Sequence, residues 1–289
     1  MVSKDIRQIS VIGSGAMGSQ IAMVSALAGF EVYLQDVSEE SLQKAEHSLQ
    51  GHLNRKISKG KLSNKEVENA FSRLHFVTSL EEAVQTTDFV IEAIVEKLDT
   101  KRQVFSEVDK IAPEHAIIAT NSSTIVSSKI ADATNRPDRV CNLHFFNPVL
   151  VMELVEVVKG PHTSDETANT AVQLVKEINK VPILLKKEIS GFVANRLLGK
   201  LTDEAIYLYE NGIASFEEID LAATKALNHP IGPFALMDLT GIDVNYYIYQ
   251  QRYAETGDKN DKPSKTLTDK YEKGEFGRKT GKGFYDYSK

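Results

Sequence analysis

Three glycines near the start of the chain have the spacing of a loop that binds a dinucleotide. Gly13, Gly15 and Gly18 match the pattern G-x-G-x-x-G, directly after the apolar segment 9–12. In such a loop the first glycine permits a tight turn, the second lets the backbone approach a pyrophosphate, and the third lets the next helix pack closely on a sheet. The N-terminus of that helix adds unpaired N–H groups and a positive dipole. The predicted cofactor-binding residues of this loop are Gly13, Ser14, Gly15, Ala16, Met17 and Gly18.

A carboxylate is expected to bind the sugar of that dinucleotide. Asp36 ends the second strand-like segment, 18 residues after Gly18, and an acidic residue at about this separation binds the ribose in dinucleotide-binding folds. Its oxygens would accept hydrogen bonds from the adenosine ribose, and its charge would repel a 2′-phosphate. Neither Val37 nor Ser38 supplies a cation that offsets this repulsion. The sequence therefore predicts NAD(H) rather than NADP(H) as the cofactor.

Polar side chains also follow the later strand-like segments, where acid–base chemistry can take place. In open α/β sheets, ligands bind beyond the carboxyl ends of the strands. An imidazole is well suited to take up and release a proton at neutral pH, but a histidine on a short apolar strand can equally be a packed core residue. The residues alone leave both roles of His144 open. The polar residues at these positions are Glu96, Asn121, Ser122, Ser123, His144 and Asn147.

The elements that must position these residues alternate between strand-like and helix-like segments. The predicted strands are residues 9–12, 31–35, 89–94, 116–120 and 140–146. The predicted helices are residues 16–28, 39–59, 97–111 and 124–133, with capping-box patterns at Ser63 and Ser79. Strands that alternate with helices imply right-handed crossovers and a mostly parallel sheet covered on both faces. We therefore expect an α/β fold of the Rossmann type.

The pattern changes in the second half of the chain. Residues 152–158 and 181–186 are two further predicted strands, with a helix between them that Thr163 is expected to cap. From Ser190 onward the apolar residues recur at helical spacing, a second helix-like stretch covers residues 236–253, and a polar loop is expected after Thr256. This division predicts an NAD-binding domain over residues 1–187 and an all-helical domain over residues 188–289.

Composition excludes several classes of partner and site. The net charge of −6 and a pI near 5.7 argue against a nucleic-acid partner. No apolar run reaches the roughly 18 residues of a membrane-spanning helix, and Lys4, Asp5 and Arg7 interrupt any secretory pattern. Cys141 is the only cysteine, so we expect a buried small residue, no disulfide, no metal site and a reducing, cytoplasmic location.

Longer motifs resemble a known enzyme family. Residues 143–149 (LHFFNPV) and 151–157 (VMELVEV) resemble the signature of the NAD-dependent 3-hydroxyacyl-CoA dehydrogenases. The resemblance extends over almost the whole chain, and the length and helical second half are most similar to the bacterial 3-hydroxybutyryl-CoA dehydrogenases. It places the chain in fatty acid and butanoate metabolism. The other matching segments are residues 13–18 (GSGAMG), 92–96 (EAIVE), 121–123 (NSS), 191–196 (GFVANR) and 279–285 (KTGKGFY).

The resemblance implies a role for individual residues. His144 is the general base that takes the proton of the 3-hydroxyl group as hydride leaves C3, and it is the acid in the reverse reaction. Hairpin spacing alone also allows Glu153 as the partner of the imidazole, but the family pattern favours Glu156. Ser123 and Asn195 hold oxygens of the substrate. The further cofactor-lining residues are Glu96, Lys101, Ser123, Asn147 and Lys279.

The resemblance also implies the partners. Coenzyme A carries several phosphates, and Arg55, Lys56, Lys59 and Lys61 form a cationic cluster. Lys59 is the expected phosphate contact, although such a cluster is also typical of a solvated helix end. The acyl group is expected to be short, with an S alcohol at C3. The amphipathic helices and the aromatic stretch 246–249 (YYIY) exceed the needs of one small core, and in this family the region forms a homodimer.

Other functions stay open at this point. A β-hydroxyacid dehydrogenase acting on a substrate without coenzyme A would use a lysine such as Lys200, but residues 191–196 lack the glycine-rich run that precedes it. Tyr285 and Lys289 match the Y-x-x-x-K pair of short-chain dehydrogenases only at the extreme end of the chain. An NAD-binding sensor or structural protein without turnover is a further alternative. A protein that only binds NAD does not require an acid–base pair, so the presence of His144 and Glu156 argues against this alternative.

Overall fold

The fold is described from a computed structural model of residues 6–288. The chain separates into two compact units between Val193 and Ala194, a few residues after the predicted boundary at residue 187. Lys4, Asp5 and Lys289, which the sequence analysis names, lie outside the described residues. Each unit has its own buried core, so each is described by itself.

The first unit is built on a mostly parallel sheet. Within the described residues the sheet has eight strands: β1 (Gln8–Ile12), β2 (Glu31–Gln35), β3 (Leu74–Val77), β4 (Phe89–Glu92), β5 (Ile117–Thr120), β6 (Val140–Phe145), β7 (Leu154–Val158) and β8 (Val181–Leu185). Their order across the sheet is β3-β2-β1-β4-β5-β6-β7-β8. Every neighbouring pair is parallel except β6 and β7, which are antiparallel. The predicted α/β fold of the Rossmann type is confirmed.

Helices connect the strands and form the second unit. The helices of the first unit are α1 (Ala16–Leu27), α2 (Glu39–Ser58), α3 (Asn64–Ser72), α4 (Leu80–Val84), α5 (Leu98–Ile111) and α6 (Asp165–Glu177). Those of the second unit are α7 (Ala194–Glu210), α8 (Phe216–Lys225), α9 (Pro233–Thr240), α10 (Ile242–Thr256) and α11 (Lys265–Glu272). No helix within residues 6–288 combines the length and the apolar character needed to cross a membrane.

Alternating side chains of the central strands fill two separate cores. On β4, Phe89 and Ile91 belong to one buried cluster, whereas Val90 belongs to the other. Successive side chains of a strand point to opposite faces, so a strand that is apolar at every position needs cover on both sides. The helices provide this cover, and the polar ends of the strands are left as the place where a ligand can bind.

The predicted helix over residues 124–133 is wrong. The segment instead contains two short 3₁₀ turns, Ser127–Lys129 and Ala131–Ala133. The hydroxyl of Ser122 accepts the N–H of Ile125 at 2.8 Å, and the side chain of Asn142 accepts the N–H of Ser127 at 2.7 Å. Because these side chains bind the backbone groups that an α-helix would pair internally, they stabilise a loop.

Three smaller features also differ from the predictions. The short strand β3 was not predicted. Ser164 rather than Thr163 caps α6, since its side chain accepts the N–H of Thr167. Gly241, at φ +106°, divides the predicted helix 236–253 into α9 and α10. The polar loop predicted after Thr256 (GDKNDKPSKT) is observed up to the N-cap Ser264, after which α11 begins.

The second unit is helical around an aromatic core. The rings of Phe234 and Phe284 lie 4.6 Å apart at an angle of 64°, a tilted arrangement that aromatic pairs favour. The buried carboxylate of Asp238 accepts the N–H groups of Phe284 and Tyr285, each at 2.8 Å. These bonds fix the C-terminal segment on α9.

Candidate active site

The glycine loop leaves open space at the start of α1. A Cβ atom at Gly13, where φ is +99°, would lie 2.7 Å from the carbonyl oxygen of Ala93, and one at Gly18 would lie 1.9 Å from that of Gly13. Protein packing therefore requires glycine at both positions. A Cβ at Gly15 would meet no atom within 4 Å, and no side chain caps the N-terminus of α1. The loop thus has the room and the free N–H donors that a pyrophosphate needs.

Asp36 is held beside this loop. Its Oδ2 accepts both the backbone N–H and the hydroxyl of Ser14, each at 2.9 Å, and its Oδ1 accepts the N–H of Ser38 at 3.0 Å. The carboxylate lies just after β2 and is half-buried. The structure brings Asp36 and the glycine loop together, as a ribose and a pyrophosphate of one dinucleotide require.

The register of two antiparallel strands pairs His144 with Glu156. His144 on β6 lies directly opposite Glu156 on β7, and Nδ1 is 2.8 Å from Oε2. Glu156 is fully buried, and His144 is 5% exposed. Glu153, the other candidate partner, is exposed and precedes β7.

This pairing determines which nitrogen is available for chemistry. A carboxylate only accepts hydrogen bonds, so Nδ1 carries a proton, and in the neutral imidazole Nε2 then presents the lone pair. Within residues 6–288, Nε2 of His144 forms no hydrogen bond. The arrangement can accept a proton at Nε2 and stabilise the resulting positive charge with Glu156.

A buried ion pair lies at the end of β4. Nζ of Lys101 is 2.7 Å from Oε1 of Glu92, and each side chain is only 1% exposed. The Glu92 carboxylate also accepts the hydroxyl of Thr120 at 2.7 Å and the N–H of Ile94 at 2.7 Å. Glu92 is thus surrounded by donors, which a buried charge requires.

Lys101 also joins this pair to Glu96. Its Nζ is 3.2 Å from Oε2 of Glu96, and the other oxygen accepts the hydroxyls of Ser122 and Thr124. Partial burial favours a raised pKa for Glu96, but these hydrogen bonds and the charge of Lys101 outweigh it and lower the pKa below its usual value. Glu96 is therefore charged at neutral pH. Its carboxylate is in contact with the side chains of Lys101, Ser122 and Thr124.

The buried pair makes a strong prediction about stability. Lys101→Ala leaves the Glu92 carboxylate buried without its cation, so we expect the free energy of unfolding to fall by about 3–5 kcal/mol. Urea unfolding followed by circular dichroism measures this loss. Lys44→Ala is the matched control, because Lys44 pairs with Glu40 at the surface and its loss should leave stability nearly unchanged. A loss in Lys101→Ala no larger than that of the control would contradict the prediction.

The remaining predicted residues of the first unit differ in their contacts. Asn121 accepts the N–H of Phe145 at 2.9 Å and so ties the loop after β5 to β6. The side chains of Ser123 and Asn147 form no hydrogen bond with any described residue. Asn147 is exposed and Ser123 is half-buried, so both have polar groups available to a ligand.

Not every residue of the predicted cationic cluster is available to bind a phosphate. Lys56 donates to the carbonyl oxygen of Leu150 at 2.8 Å, and burial together with the charge of Lys61 lowers the pKa of this amine. Lys59 and Lys61 are exposed, and neither forms an ion pair within the described residues. Lys59 thus has a free ammonium group at the C-terminal end of α2.

Three predicted or alternative residues lie in the second unit. Asn195 is exposed in the first turn of α7. Lys279 is 2.6 Å from Oδ2 of Asp243. Lys200, the lysine of the β-hydroxyacid dehydrogenase alternative, is exposed and pairs with Asp203 at 3.1 Å.

Cys141 is buried on β6, as predicted. Burial raises the pKa of its thiol to about 12, so the reactive thiolate is scarce at neutral pH. Nucleophilic chemistry at this cysteine is therefore disfavoured.

Several residues that shape the site were not predicted from the sequence pattern. Glu92 and Asn142 are polar residues inside fully buried strands. A buried polar side chain needs hydrogen-bond partners, so their positions could have indicated a buried hydrogen-bond network. The rings of Phe146 and Phe192 lie 4.5 Å and 5.3 Å from the imidazole of His144. Phe146 lies only two residues after His144 in the sequence, whereas no local spacing indicated the contact of Phe192, which comes from a distant loop.

Comparison with known proteins gives matches over almost the whole chain. The model of the "3-hydroxyacyl-CoA dehydrogenase, NAD binding domain" matches residues 8–189, and that of the "3-hydroxyacyl-CoA dehydrogenase, C-terminal domain" matches residues 191–287. The chain is 41% identical to a probable 3-hydroxybutyryl-CoA dehydrogenase of Bacillus subtilis strain 168, over 98% of each chain. It is 40% identical to the 3-hydroxybutyryl-CoA dehydrogenase of Clostridioides difficile, over 98% of this chain and 100% of the relative.

A solved structure agrees with this similarity. The (S)-3-hydroxybutyryl-CoA dehydrogenase of Ralstonia eutropha superimposes with a TM-score of 0.91 at 39% identity, over 99% of this chain and 100% of that one. Both domains and their order are thus shared with proteins of known fold.

Proposed function

Because the chain belongs to the NAD-dependent 3-hydroxyacyl-CoA dehydrogenase family, we propose that its substrate is a short-chain (S)-3-hydroxyacyl-CoA such as 3-hydroxybutyryl-CoA. The enzyme is an oxidoreductase that interconverts 3-hydroxyacyl-CoA and 3-oxoacyl-CoA. The names of the relatives in B. subtilis, C. difficile and R. eutropha support a short acyl chain, and the last of these names specifies the S alcohol.

The hydrogen-bonded pair of His144 and Glu156 is the observation that carries the proposed mechanism. With Nδ1 bound to the carboxylate, Nε2 takes the proton of the 3-hydroxyl group during oxidation and returns it during reduction. The positive charge that forms on the imidazole develops beside a buried carboxylate, which is placed there before the reaction begins. Acid–base catalysis by a positioned side chain contributes on the order of 10²–10⁴ in rate.

Each cofactor residue has a separate part in this proposal. NAD, when bound, supplies the acceptor for the hydride that leaves C3. The glycine loop and α1 hold the pyrophosphate, and Asp36 holds the adenosine ribose. Glu96, Ser123 and Asn147 line the cofactor farther along the sheet edge, while the buried Lys101 fixes the position of Glu96. Lys279 of the second unit is the remaining proposed cofactor contact.

The substrate residues that the family resemblance implies have polar groups available to a ligand. The unpaired hydroxyl of Ser123 and the exposed amide of Asn195 are proposed to hold oxygens of the acyl group. Donors placed where negative charge develops stabilise the transition state more than the ground state. The exposed ammonium of Lys59 is proposed to contact a phosphate of coenzyme A.

The direct test is a series of 3-oxoacyl-CoA substrates of increasing length. Loss of NADH absorbance gives kcat/KM for each substrate, and we expect the highest value for acetoacetyl-CoA. Free acetoacetate is the matched compound without coenzyme A. A preference for the free acid would support a β-hydroxyacid dehydrogenase, and NADH binding without oxidation across the series would support a sensor.

Asp36 should decide between the two nicotinamide cofactors. Asp36→Asn keeps an oxygen that accepts hydrogen bonds and removes the charge that repels a 2′-phosphate. Because hydrogen bonds to a charged group contribute about 1.5–3 kcal/mol, we expect the preference for NADH over NADPH to fall by roughly 10- to 100-fold. Fluorescence titration with both cofactors measures it. Glu40→Gln, an exposed carboxylate on α2, is the control, and an unchanged preference in Asp36→Asn would refute the role.

The second unit is proposed to form a homodimer. Its helices expose large apolar side chains, among them Leu197, Tyr207, Leu221, Tyr247 and Ile248, each at least half exposed. A soluble monomer rarely leaves so much apolar surface uncovered. Light scattering should therefore give twice the chain mass of 32.1 kDa, and a single species of the chain mass at micromolar concentration would contradict the dimer.

The domain roles and location belong to the same proposal. Residues 1–187 bind NAD, and residues 188–289 bind substrate and dimerise. A cytoplasmic location is supported by the single buried cysteine, since exported proteins more often use disulfides.

A further inference from the structure

The carboxylate that binds the imidazole also binds a second loop. While Oε2 of Glu156 is bonded to His144, Oε1 accepts the backbone N–H of Val193 at 3.0 Å. Val193 is the last residue of the first unit. The orientation of Glu156, and through it that of the imidazole, therefore depends on the backbone of the segment Gly191–Val193.

A ring from the same segment packs on the imidazole. Phe192 is fully buried, and its ring centroid lies 5.3 Å from that of His144 at an angle of 53°. Phe146 packs edge-on against the same imidazole at 4.5 Å. One residue of the Gly191–Val193 segment thus restricts the rotation of the imidazole, and the next fixes its carboxylate partner.

The backbone of this segment has an unusual conformation. Gly191 has φ +74° and Phe192 has φ +50°. Among the described residues other than glycine, only Asn179 and Asn228 share a positive φ with Phe192, and asparagine tolerates that region far better than a bulky aromatic residue. Strained residues of this kind persist where the surrounding structure requires them, and they concentrate at functional sites.

We propose that Phe192 is a positioning residue for the proposed catalytic pair. Its buried ring holds the imidazole of His144, and its left-handed backbone directs the N–H of Val193 to Glu156. The inference rests on the proposed function, because it assigns Phe192 a role through His144. A shift of the imidazole by about 1 Å is enough to lower the rate of proton transfer by about two orders of magnitude.

The test compares Phe192→Leu with Phe105→Leu. Phe105 on α5 is equally buried and makes no ring contact with His144 in the described structure, so both variants lose the same atoms from a core. We expect kcat for acetoacetyl-CoA to fall by about 10- to 100-fold in Phe192→Leu, with KM changed less than about twofold. Phe105→Leu should keep the wild-type kcat. Urea unfolding checks that both variants are folded.

A second readout does not need turnover. The Nδ1–H proton of His144 gives an NMR signal that His144→Ala identifies by its loss. In the protein without cofactor we expect this signal to shift or broaden in Phe192→Leu and to stay unchanged in Phe105→Leu. Gly191→Ala, which keeps the ring but opposes the turn at φ +74°, should change the signal in the same way.

The outcomes separate this inference from the proposed function. If Phe192→Leu keeps both the wild-type kcat and the wild-type Nδ1–H signal, the positioning role is wrong although the enzyme is active. If the wild type oxidises no NADH with any acyl-CoA, the proposed function fails, and the NMR comparison still decides whether Phe192 orients the imidazole.

Discussion

His144→Ala should lower kcat for acetoacetyl-CoA reduction by at least about two orders of magnitude, while the Kd for NADH stays within about twofold of the wild type. The imidazole is the group that supplies and removes the proton, and its Nε2 has no other partner within the described residues. The proposed pyrophosphate and ribose contacts lie on the glycine loop and Asp36, and the substitution leaves them intact. Steady-state kinetics and fluorescence titration measure the two quantities.

A second histidine provides the control. His75 on β3 also pairs with a glutamate, Glu31, at 3.0 Å, but its side chain is 41% exposed. His75→Ala should therefore keep wild-type turnover. Equal losses of turnover and NADH affinity in His144→Ala would show that His144 is structural rather than catalytic.

Glu156→Gln should lower kcat by on the order of 10²–10⁴ with little change in KM. An amide can accept from Nδ1 or donate to it, so the tautomer that presents the Nε2 lone pair is no longer fixed. The neutral side chain also cannot stabilise the positive imidazolium that forms during oxidation. The substitution keeps the size of the side chain, so the register of β6 and β7 is preserved. Measurement of kcat and KM with acetoacetyl-CoA tests this.

The matched control is Glu153→Gln. Glu153 lies three residues earlier in the sequence and is exposed before β7, so its substitution should leave kcat unchanged. The double variant His144→Ala/Glu156→Gln should turn over no more slowly than His144→Ala, because Glu156 acts through the imidazole. A large additional loss in the double variant would give Glu156 a role independent of His144.

The parts of the fold that depend on local pattern could be predicted from the sequence. The glycine loop, Asp36 and the apolar strands are each encoded within a few neighbouring residues, so the sheet and its ligand-binding edge could be expected. The choice between Glu153 and Glu156 depends on strand register. The residues alone do not decide which glutamate pairs with the imidazole. The pairing of β6 with β7 places His144 opposite Glu156.

Hydrogen bonds and ion pairs that a segment makes with side chains outside it could not be predicted from its local pattern. Residues 124–133 have a helical apolar pattern, but the side chains of Ser122 and Asn142 bind their backbone instead. Lys101 has the sequence context of an exposed helix residue and is nevertheless 1% exposed, because Glu92 on a neighbouring strand pairs with it. In both cases a polar partner outside the segment itself overrides the local preference.

The central claim is that Nε2 of His144 exchanges a proton with the C3 oxygen of a 3-hydroxyacyl-CoA. A single-turnover measurement tests it most directly: wild type and His144→Ala are each saturated with NADH, mixed with excess acetoacetyl-CoA, and followed by the loss of NADH absorbance. We predict rapid oxidation of one bound NADH per site in the wild type and a rate at least about 100-fold lower in His144→Ala. Equal rates in the two proteins would contradict the claim.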